Sequence, residues 1–554
     1  MFDRRDPLPS PFSDGLRRGK AWSTGEGASV MKMDRRGLVL GGLMGSATLA
    51  PARAASAQVP DGGAPWGASV KDFGAVGDGA AIDTPAINKA IDHLAARGGG
   101  VVYFPAGTYA CYTIRLKSNI TLHLDTGAVI LAAAPTAAGA GGYDDPGPGA
   151  GNAYQDYGHS HWANSLIFGE GLHDIAIVGS GLIWGRGLTR GHRFPDDPPD
   201  VSGPGVGDKA IALKNCRNVL LRDFKVLQGG WFALLATGVD NMTIDNLIID
   251  TNRDGFDIDC CRNVRVTGCT INSPWDDGIC PKSSFALGYA RPTENLTISD
   301  CYLTGNYEMG SVIDGTWKPM PPGFKGFGRI KCGTESNGGF KNIAITNCVF
   351  DNCFGIALET VDGAVCEDIA ISNITMRGLR NSPLFLRLGR RMRGPAGIPI
   401  GALRRVLIQN IVSHDAFALL PSIIAGVEGH PVEDIKISDV FLHQGGGSDA
   451  ILARRQPPEA ELGYPDPKMF GDLPATGFFI RHARNIEMSH VEIAVAAPDA
   501  RPAFWLRDVA EADFFRLRLP KGPSFALDQV TGFRSFGSRW LEDLRFDERV
   551  SRTL

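Results

Sequence analysis

Three aspartates stand at a spacing that suits acid–base chemistry. Asp254 belongs to the run Asn252-Arg253-Asp254, and Asp276 and Asp277 are adjacent in the chain. Asp276 follows Asp254 by 22 residues. Carboxylates crowded together repel, so the pKa of at least one should rise and leave an acid beside a base. Hydrolysis of a glycosidic bond needs such a pair, one group to protonate the leaving oxygen and the other to activate water or attack.

The same spacing is the period of a repeat. A turn residue followed by alternating apolar residues begins at Asn218, Asn241, Asn263, Asn295 and Asn342, and again at Asp368, Val406, Asp434 and Asn485. The first two intervals are 23 and 22 residues, and the next, of 32, fits one unit with an inserted loop. Units of this size bury their apolar residues only by stacking on each other. The sequence therefore predicts an all-β fold, a single-stranded right-handed parallel β-helix.

In such a coil, equivalent positions of successive turns form columns about 4.8 Å apart. Asp254 should therefore lie one coil from Asp276 and Asp277. Cys269, Cys301 and Cys348 share one repeat position. We expect an inward stack of thiols there rather than disulfides, because free cysteine behaves as a small buried hydrophobe.

An open coil exposes its end strands to edge pairing. Ala86, Ile87, Ala90, Ile91 and Leu94 follow helical spacing between Asp83-Thr84 and a run of three glycines. This pattern predicts a helix that caps the N-terminal end of the coil.

Composition excludes several functions. The 554-residue chain has a net charge of −4 and no basic run that suggests nucleic-acid binding. Its 11 cysteines include no CxxC pair or Cys/His cluster at zinc-like spacing. We expect no metal and no cofactor.

The N-terminal segment, residues 1–57, has the features of an export signal. Arg35-Arg36 precede an apolar run from Gly37 to Leu49, and Ala55-Ser56-Ala57 follow. This pattern resembles a twin-arginine signal with a cleavage site. Residues 58–554 then form the β-helix domain, in the periplasm or outside the cell. We expect no membrane span; an alternative start at Met31 or Met33 remains open.

Three motifs outside the aspartates resemble glycoside hydrolase family 28, the polygalacturonase-like family. The motifs are Val70–Gly79, Val101–Tyr109 and Leu182–Gly187. The similarity runs from Val70 to about Gly394. It implies a β-helix enzyme that cleaves a pectin-like or related plant or algal polysaccharide or oligosaccharide, and we expect a monomer. The opening motifs are shared with pectate-lyase-like proteins, so the carboxylates alone point to hydrolysis.

The resemblance assigns roles. The family's Asn-Thr-Asp motif falls on Asn252-Arg253-Asp254, its Asp-Asp pair on Asp276-Asp277, and its following lysine on Lys282. It implies inverting hydrolysis with Asp277 as the acid and with Asp254 and Asp276 placing the water.

Two departures from the family pattern bear on the substrate. The family's Gly-His-Gly aligns with Gly326-Phe327-Gly328, and its uronate-binding Arg-Ile-Lys should fall on Ala357-Leu358-Glu359. The tripeptide Arg-Ile-Lys does occur in the chain, as Arg329-Ile330-Lys331, but about one coil before the expected position. We interpret this match as coincidental. Glu335 and Glu359, 24 residues apart, resemble a divergent bacterial branch. The predicted substrate-binding residues are Asn252, Lys282, Arg329, Lys331, Glu335, Glu359 and, from the loop 156–162, His161.

Two alternatives remain from the residues. A uronate lyase or epimerase would use a base such as Arg253 or Lys282, with calcium held by the acidic cluster. A non-catalytic carbohydrate-binding β-helix would not need Asp277. Asp257 and Asp259 are interpreted as structural acceptors of backbone hydrogen bonds.

Overall fold

The computed structural model describes residues 66–136, 141–149, 152–189, 203–416 and 420–554. Two compact units divide the chain, residues 1–63 and 64–554, and only the second is described below. The predicted signal, residues 1–57, lies outside the described residues, as does the start of the predicted domain at residue 58. Within the described ranges, no helix has the length and apolar character to cross a membrane.

The N-terminal part combines short strands with the helix that the sequence predicts. Helix α1 spans Thr84–Ala95, and it buries Ile87, Ala90, Ile91 and Leu94 against the first coils. A 3-10 turn, Val70–Phe73, precedes it. The strands of this part are β1 (Gly67–Ser69), β2 (Asp78–Ile82), β3 (Gly100–Phe104), β4 (Gly107–Cys111), β5 (Ile114–Arg115), β6 (Ile120–Leu124), β7 (Ala128–Ala132), β8 (Ser165–Glu170), β9 (His173–Val178) and β10 (Leu182–Trp184).

The central part repeats three short parallel strands per coil. They are β11 (Lys209–Lys214), β12 (Arg217–Arg222), β13 (Lys225–Leu227), β14 (Phe232–Thr237), β15 (Asp240–Asp245), β16 (Ile248–Asp250), β17 (Asp254–Asp259), β18 (Arg262–Thr267), β19 (Thr270–Asn272), β20 (Ile279–Lys282), β21 (Thr293–Ser299), β22 (Tyr302–Thr304), β23 (Ile330–Cys332), β24 (Phe340–Thr346), β25 (Val349–Asp351) and β26 (Ile356–Thr360). A short helix α2, Ser311–Asp314, lies in the long connection before β23. From β11 to β24 each strand pairs in parallel with the strand three places later, so the chain advances one coil with every three strands.

Longer strands complete the coil. They are β27 (Val365–Arg377), β28 (Leu384–Leu388), β29 (Ala402–Ala416), β30 (Ser422–Ala425), β31 (Val432–Gly446), β32 (Phe478–Ala497), β33 (Phe504–Phe515), β34 (Phe525–Phe536), β35 (Leu544–Phe546) and β36 (Val550–Thr553). The last two pair antiparallel with β34 and so cover the final edge.

The asparagines that begin the repeats make the turns. Asn218, Asn241, Asn263 and Asn295 all have φ near +56°, the left-handed region that asparagine tolerates. The side-chain amides of the last three each donate to the Oδ1 of the preceding one, at 3.1, 3.1 and 3.0 Å. The recurring Asn is therefore a turn residue and a link between coils.

The interior is one continuous apolar core along the coil. Cys269, Cys301 and Cys348 are buried and unbridged, which confirms the predicted stack of thiols. The parallel pairings, the helix α1 and this core confirm the predicted β-helix.

Candidate active site

The outer face of one sheet carries the site. Strands β14, β17, β20, β23, β26 and β28 succeed each other on this sheet, one per coil. Side chains alternate inward and outward along a strand. The core isoleucines 258, 279 and 330 point inward, so their neighbours Asp257, Cys280 and Lys331 point outward.

The outward column is apolar at both ends and polar in its middle. On one side, Leu235 packs with Trp162, Phe232 and Ala286. On the other, Ala357 and Phe385 pack beneath Phe470 and Leu473 of the segment 447–477. The outward charged residues Asp257, Lys282, Lys331 and Glu359 lie between these two covered parts, on the strands from β17 to β26 that also carry the uncharged Cys280 and Ala357.

The three aspartates meet on this stretch. Oxygen atoms of Asp254, Asp276 and Asp277 all lie within 4.8 Å of one another. The backbone N–H of Asp277 donates to Oδ1 of Asp254 and to Oδ1 of Asp276, each at 3.1 Å. The coil period thus brings together the residues that the spacing predicts.

Asp277 lies between two cations. The Arg329 Nε donates to its Oδ1 at 2.6 Å, and the Lys331 ammonium forms an ion pair with its Oδ2. Burial disfavours the charged carboxylate, but Arg329 and Lys331 outweigh burial and hold the pKa of Asp277 below its usual range. Asp277 is therefore ionised, which argues against the role of acid that the resemblance implies for it.

Asp254 has the opposite balance. Burial, followed by the charges of Asp276 and Asp257, raises the pKa of Asp254 well above its usual range. Asp276 is more accessible and pairs with the Arg253 guanidinium at 2.9 Å. Arg253 in turn lies over the ring of Trp231, 4.1 Å from its centroid. The cluster thus holds one carboxyl whose pKa is raised, Asp254, beside one whose pKa is lowered, Asp277.

The tripeptide Arg329-Ile330-Lys331 belongs to the site. Ile330 pairs with Ile279, so β23 is the strand that directly follows β20 on this sheet. The tripeptide does lie one coil before the position that the resemblance gives it. The interpretation of the match as coincidental is nevertheless wrong, because Arg329 and Lys331 both contact Asp277. The position aligned with the family's histidine is held by Phe327, which packs on Phe354 with centroids 4.5 Å apart.

Glu359 is the next acid along the sheet. Its side chain is fully buried, and both carboxylate oxygens lack a hydrogen-bond partner. Burial raises its pKa to about 7, although Arg329 and Lys331 act in the opposite direction. Gly333, with φ of +130°, lies beside it, and a Cβ there would come within 2.8 Å of the Glu359 Cβ.

A second group of charges lies beside the aspartates. Lys282 Nζ donates to Glu335 at 3.2 Å and lies 3.9 Å from Asp257. Burial opposes the charge of Glu335, but Lys282 holds the pKa of Glu335 well below its usual range. Asp257 also bonds His159 Nε2 at 2.8 Å. Asp257 therefore belongs to the charged column, whereas Asp259 accepts from the N–H and the hydroxyl of Ser284 as a structural acceptor.

Asn252 and His161, the remaining predicted residues, differ in where they lie relative to the aspartates. Asn252 is buried next to Asp254, and its Nδ2 has no hydrogen-bond partner. His161 is buried at the end of the turn Tyr157–Ser160. In this segment His159 contacts the charged column through its hydrogen bond with Asp257. The sequence-based prediction names His161 instead.

Sequence reasoning also missed residues from distant loops. Arg393 lies 3.2 Å from Asp156 and 4.0 Å from Glu335, across one side of the charged column. Asp466 and Tyr464 belong to the segment 447–477, and they interact electrostatically with Glu359 and Lys331 respectively. This segment therefore also borders the site. No repeat position marks these residues, because they lie in connections between strands.

Asp254, Asp276 and Asp277, referred to below as the triad, could bind a metal ion only in competition with Arg329 and Lys331. Three carboxylates within 4.8 Å could supply oxygen ligands to calcium. Both oxygens of Asp277, however, already face Arg329 or Lys331. A divalent cation would compete with these two charges.

Family models match two parts of the chain. Residues 67–180 match a model described as rhamnogalacturonase A/epimerase, pectate lyase-like. Residues 201–379 match a model of the right-handed β-helix region. The second match confirms the handedness that the repeat predicts.

Relatives match larger parts. A probable polygalacturonase of Vitis vinifera is 27% identical over 400 residues, which cover 68% of this chain and 74% of the relative. Plasmin and fibronectin-binding protein A of Streptococcus pneumoniae is 55% identical over 272 residues, covering 44% of this chain but 32% of that protein. The solved family 28 exopolygalacturonase of Yersinia enterocolitica superposes with a TM-score of 0.57 at 18% identity, covering 82% of this chain and 78% of its own. This structural likeness shows the shared fold.

Proposed function

We propose that the chain is a polygalacturonase-like glycoside hydrolase of family 28, as its motifs, the family models and the plant relative support, and that it hydrolyses glycosidic bonds of a pectin-type polysaccharide by carboxylate catalysis. One observation carries the proposal. Asp254 and Asp277 lie side by side with pKa values moved in opposite directions, the first raised by burial and the second lowered by Arg329 and Lys331 against the effect of burial. Such a divided pair is the acid–base arrangement that sugar hydrolysis requires.

The charges favour a specific division of roles. Asp254 carries the proton and donates it to the leaving glycosidic oxygen. Asp277 stays ionised because of its two cations, and together with the accessible Asp276 it accepts a proton from the attacking water. This assignment exchanges the parts that the resemblance gives to Asp254 and Asp277.

Substrate binding rests on the residues around the triad. Glu359 has two buried oxygens without hydrogen-bond partners, and buried polar groups are usually paired. We assign these oxygens, and the amide of Asn252, to hydroxyl groups of the sugar. Lys282, Arg329 and Lys331 contribute positive charge on the same stretch, which suits an acidic polysaccharide. The polygalacturonase relative supports this substrate class.

The charges oppose a lyase or epimerase. Such an enzyme removes a proton with a basic group, and this needs the group in its neutral form. The pKa of Lys282 and that of Lys331 are both raised well above the usual range, because nearby carboxylates outweigh burial. Arg253 pairs with Asp276. These side chains therefore hold their protons.

Product analysis on pectin, polygalacturonate and rhamnogalacturonan tests the proposal. Hydrolysis gives saturated oligosaccharides whose mass includes one added water per bond cleaved. Unsaturated products, seen by ultraviolet absorbance and abolished by a chelator, would instead establish a lyase. An inactive protein that binds the polymer equally well with Asp277→Asn would support the alternative of a non-catalytic carbohydrate-binding protein.

Anomer analysis tests the stereochemistry. Inverting enzymes typically hold their carboxyl groups about 6.5–9.5 Å apart, and retaining enzymes about 5–5.5 Å. The oxygens of the triad lie within 4.8 Å, a closer approach than the inverting range. Inversion is thus supported here only by the resemblance to family 28, and proton NMR of the first product decides between the two outcomes.

A further inference from the structure

A second cluster of side chains that can bind a metal lies away from the charged column of the candidate active site. His414 and Asp415 end strand β29, and His443 lies on the next strand of the same sheet, β31. His414 follows Asp351 and Arg377 in the column of its own sheet, at a repeat position separate from that of the catalytic aspartates. No step of the proposed hydrolysis uses these three residues.

A break in the strand register brings the cluster together. The pairing of β29 with β31 shifts between Ser413 and Ala416, and Asp415 has φ of +55°. Such bulges redirect side chains. Consecutive residues that would normally face opposite sides of a sheet here converge, with His414 Nδ1 lying 3.0 Å from Asp415 Oδ2.

The distances suit a shared metal ion. His443 Nδ1 lies 3.7 Å from Asp415 Oδ1, too far for a hydrogen bond. This nitrogen is buried and has no hydrogen-bond partner. Zinc bonds of about 2.1 Å in a tetrahedron put neighbouring ligand atoms about 3.4 Å apart. The two observed separations end on different oxygens of the Asp415 carboxylate, 3.0 Å from His414 to Oδ2 and 3.7 Å from His443 to Oδ1, and they lie on either side of that value.

The two imidazoles point to the same conclusion. Their ring centroids are 4.8 Å apart, and ligand atoms of all three residues lie within 4.8 Å of one another. Two imidazoles and a carboxylate this close together can supply ligand atoms to one ion.

We propose that His414, Asp415 and His443 form a site for a divalent transition metal of the zinc class, which links two neighbouring coils. Imidazole nitrogens and a carboxylate oxygen suit zinc, with the remaining coordination filled by water. The sequence did not suggest this site, because its ligands come from two repeats and one of them depends on a strand irregularity.

Calorimetric titration of the EDTA-treated full chain with zinc chloride tests the site. The wild type should bind one zinc ion at saturation, and zinc should raise its melting temperature because the ion binds the folded state. His414→Gln and His443→Gln should each weaken binding by at least about tenfold. Activity on polysaccharide should stay unchanged in both variants.

His173→Gln supplies the matched control. His173 and Asp174 form the same adjacent pair, with Nδ1 and Oδ2 2.7 Å apart, but among the described residues no second histidine joins them in a three-residue ligand cluster. This variant should bind zinc as the wild type does. The proposal is overturned if the wild type shows no saturable binding or if both His414→Gln and His443→Gln bind normally. It is also overturned if Asp254→Asn, rather than these two, abolishes binding, since the ion would then lie at the triad.

Discussion

The backbone N–H of Asp277 donates to Oδ1 of Asp254 at 3.1 Å, while the N–H of Gly255 donates to the backbone oxygen of Asp277 at 3.0 Å. These two bonds join neighbouring coils at the point where both carboxylates emerge. The relative position of the two acids is therefore fixed by the backbone pairing of the coil.

Replacing Asp254 or Asp277 should separate the acid from the base. Asp254→Asn and Asp277→Asn should each lower kcat on polysaccharide by about 10²–10⁴-fold. On an aryl glycoside with a good leaving group, Asp254→Asn should recover most activity, because that leaving group needs no protonation. Asp277→Asn should not recover. Recovery by Asp277→Asn alone would reverse the proposed roles. Asp528→Asn, at a half-buried aspartate on β34, serves as control.

Removing Arg329 should alter the pH profile. In Arg329→Met the Asp277 carboxyl loses one of the two cations that depress its pKa, so its pKa should rise by about 1 unit or more. Asp277 acts in its ionised form, so the acidic limb of kcat/KM should move to higher pH. Arg404→Met, which removes a half-buried partner of Glu367, should leave the profile unchanged.

Glu359 should make the protein less stable as the pH rises. Its pKa is raised from 4.5 to about 7 by burial, so the folded state binds this proton more tightly than the unfolded chain does. The favourable contribution is present below about pH 4.5 and is lost as the pH rises through 7, a change of about 3 kcal/mol. The free energy of unfolding of Glu359→Gln, taken relative to that of the wild type, should therefore be higher at pH 8 than at pH 4.5. Urea unfolding of both proteins at the two pH values measures this difference.

Glu335 should behave in the opposite way. Its pKa is lowered by Lys282 against the effect of burial, so its contribution is present above about pH 4.5 and is lost as the pH falls through its folded pKa. Glu335→Gln leaves Lys282 with weaker compensation and should destabilise the protein at pH 7 by about 3–5 kcal/mol. Equal pH dependence in the Glu335 and Glu359 variants would contradict both assignments.

The cysteines should be unreactive in the folded protein. All 11 are unbridged and buried. A thiol reagent should modify none of them in the native state and all 11 after denaturation without reductant. Fewer thiols in the denatured protein would reveal a disulfide and contradict the inward stack.

The sequence predicts the coil well because its signal is local and repeated. The asparagine turns, the alternation of apolar residues and the 22-residue interval between Asp254 and Asp276 each follow from strand geometry. The contact between Arg329 and Asp277 could not be derived in the same way, since a long connection that contains α2 precedes β23 and hides the number of coils. His159 and Arg393 come from loops whose paths no periodicity determines. The pKa values of Asp254 and Asp277 depend on these contacts, so the exchange of roles emerges only in three dimensions.

The outer face of the catalytic sheet is apolar on either side of the charged stretch, and the segment 447–477 covers one of these sides through Phe470 and Leu473. The buried side chains of Arg387 and Arg481 donate hydrogen bonds to backbone oxygens of Pro457, Pro458 and Glu459. These bonds hold the segment 447–477 against the sheet. The coil supplies the reactive groups, whereas connections of variable length decide how much of the face stays bare. Reactivity and substrate length can therefore diverge independently in evolution, and exchanging such a connection between relatives should move the cleavage pattern without altering the carboxylates.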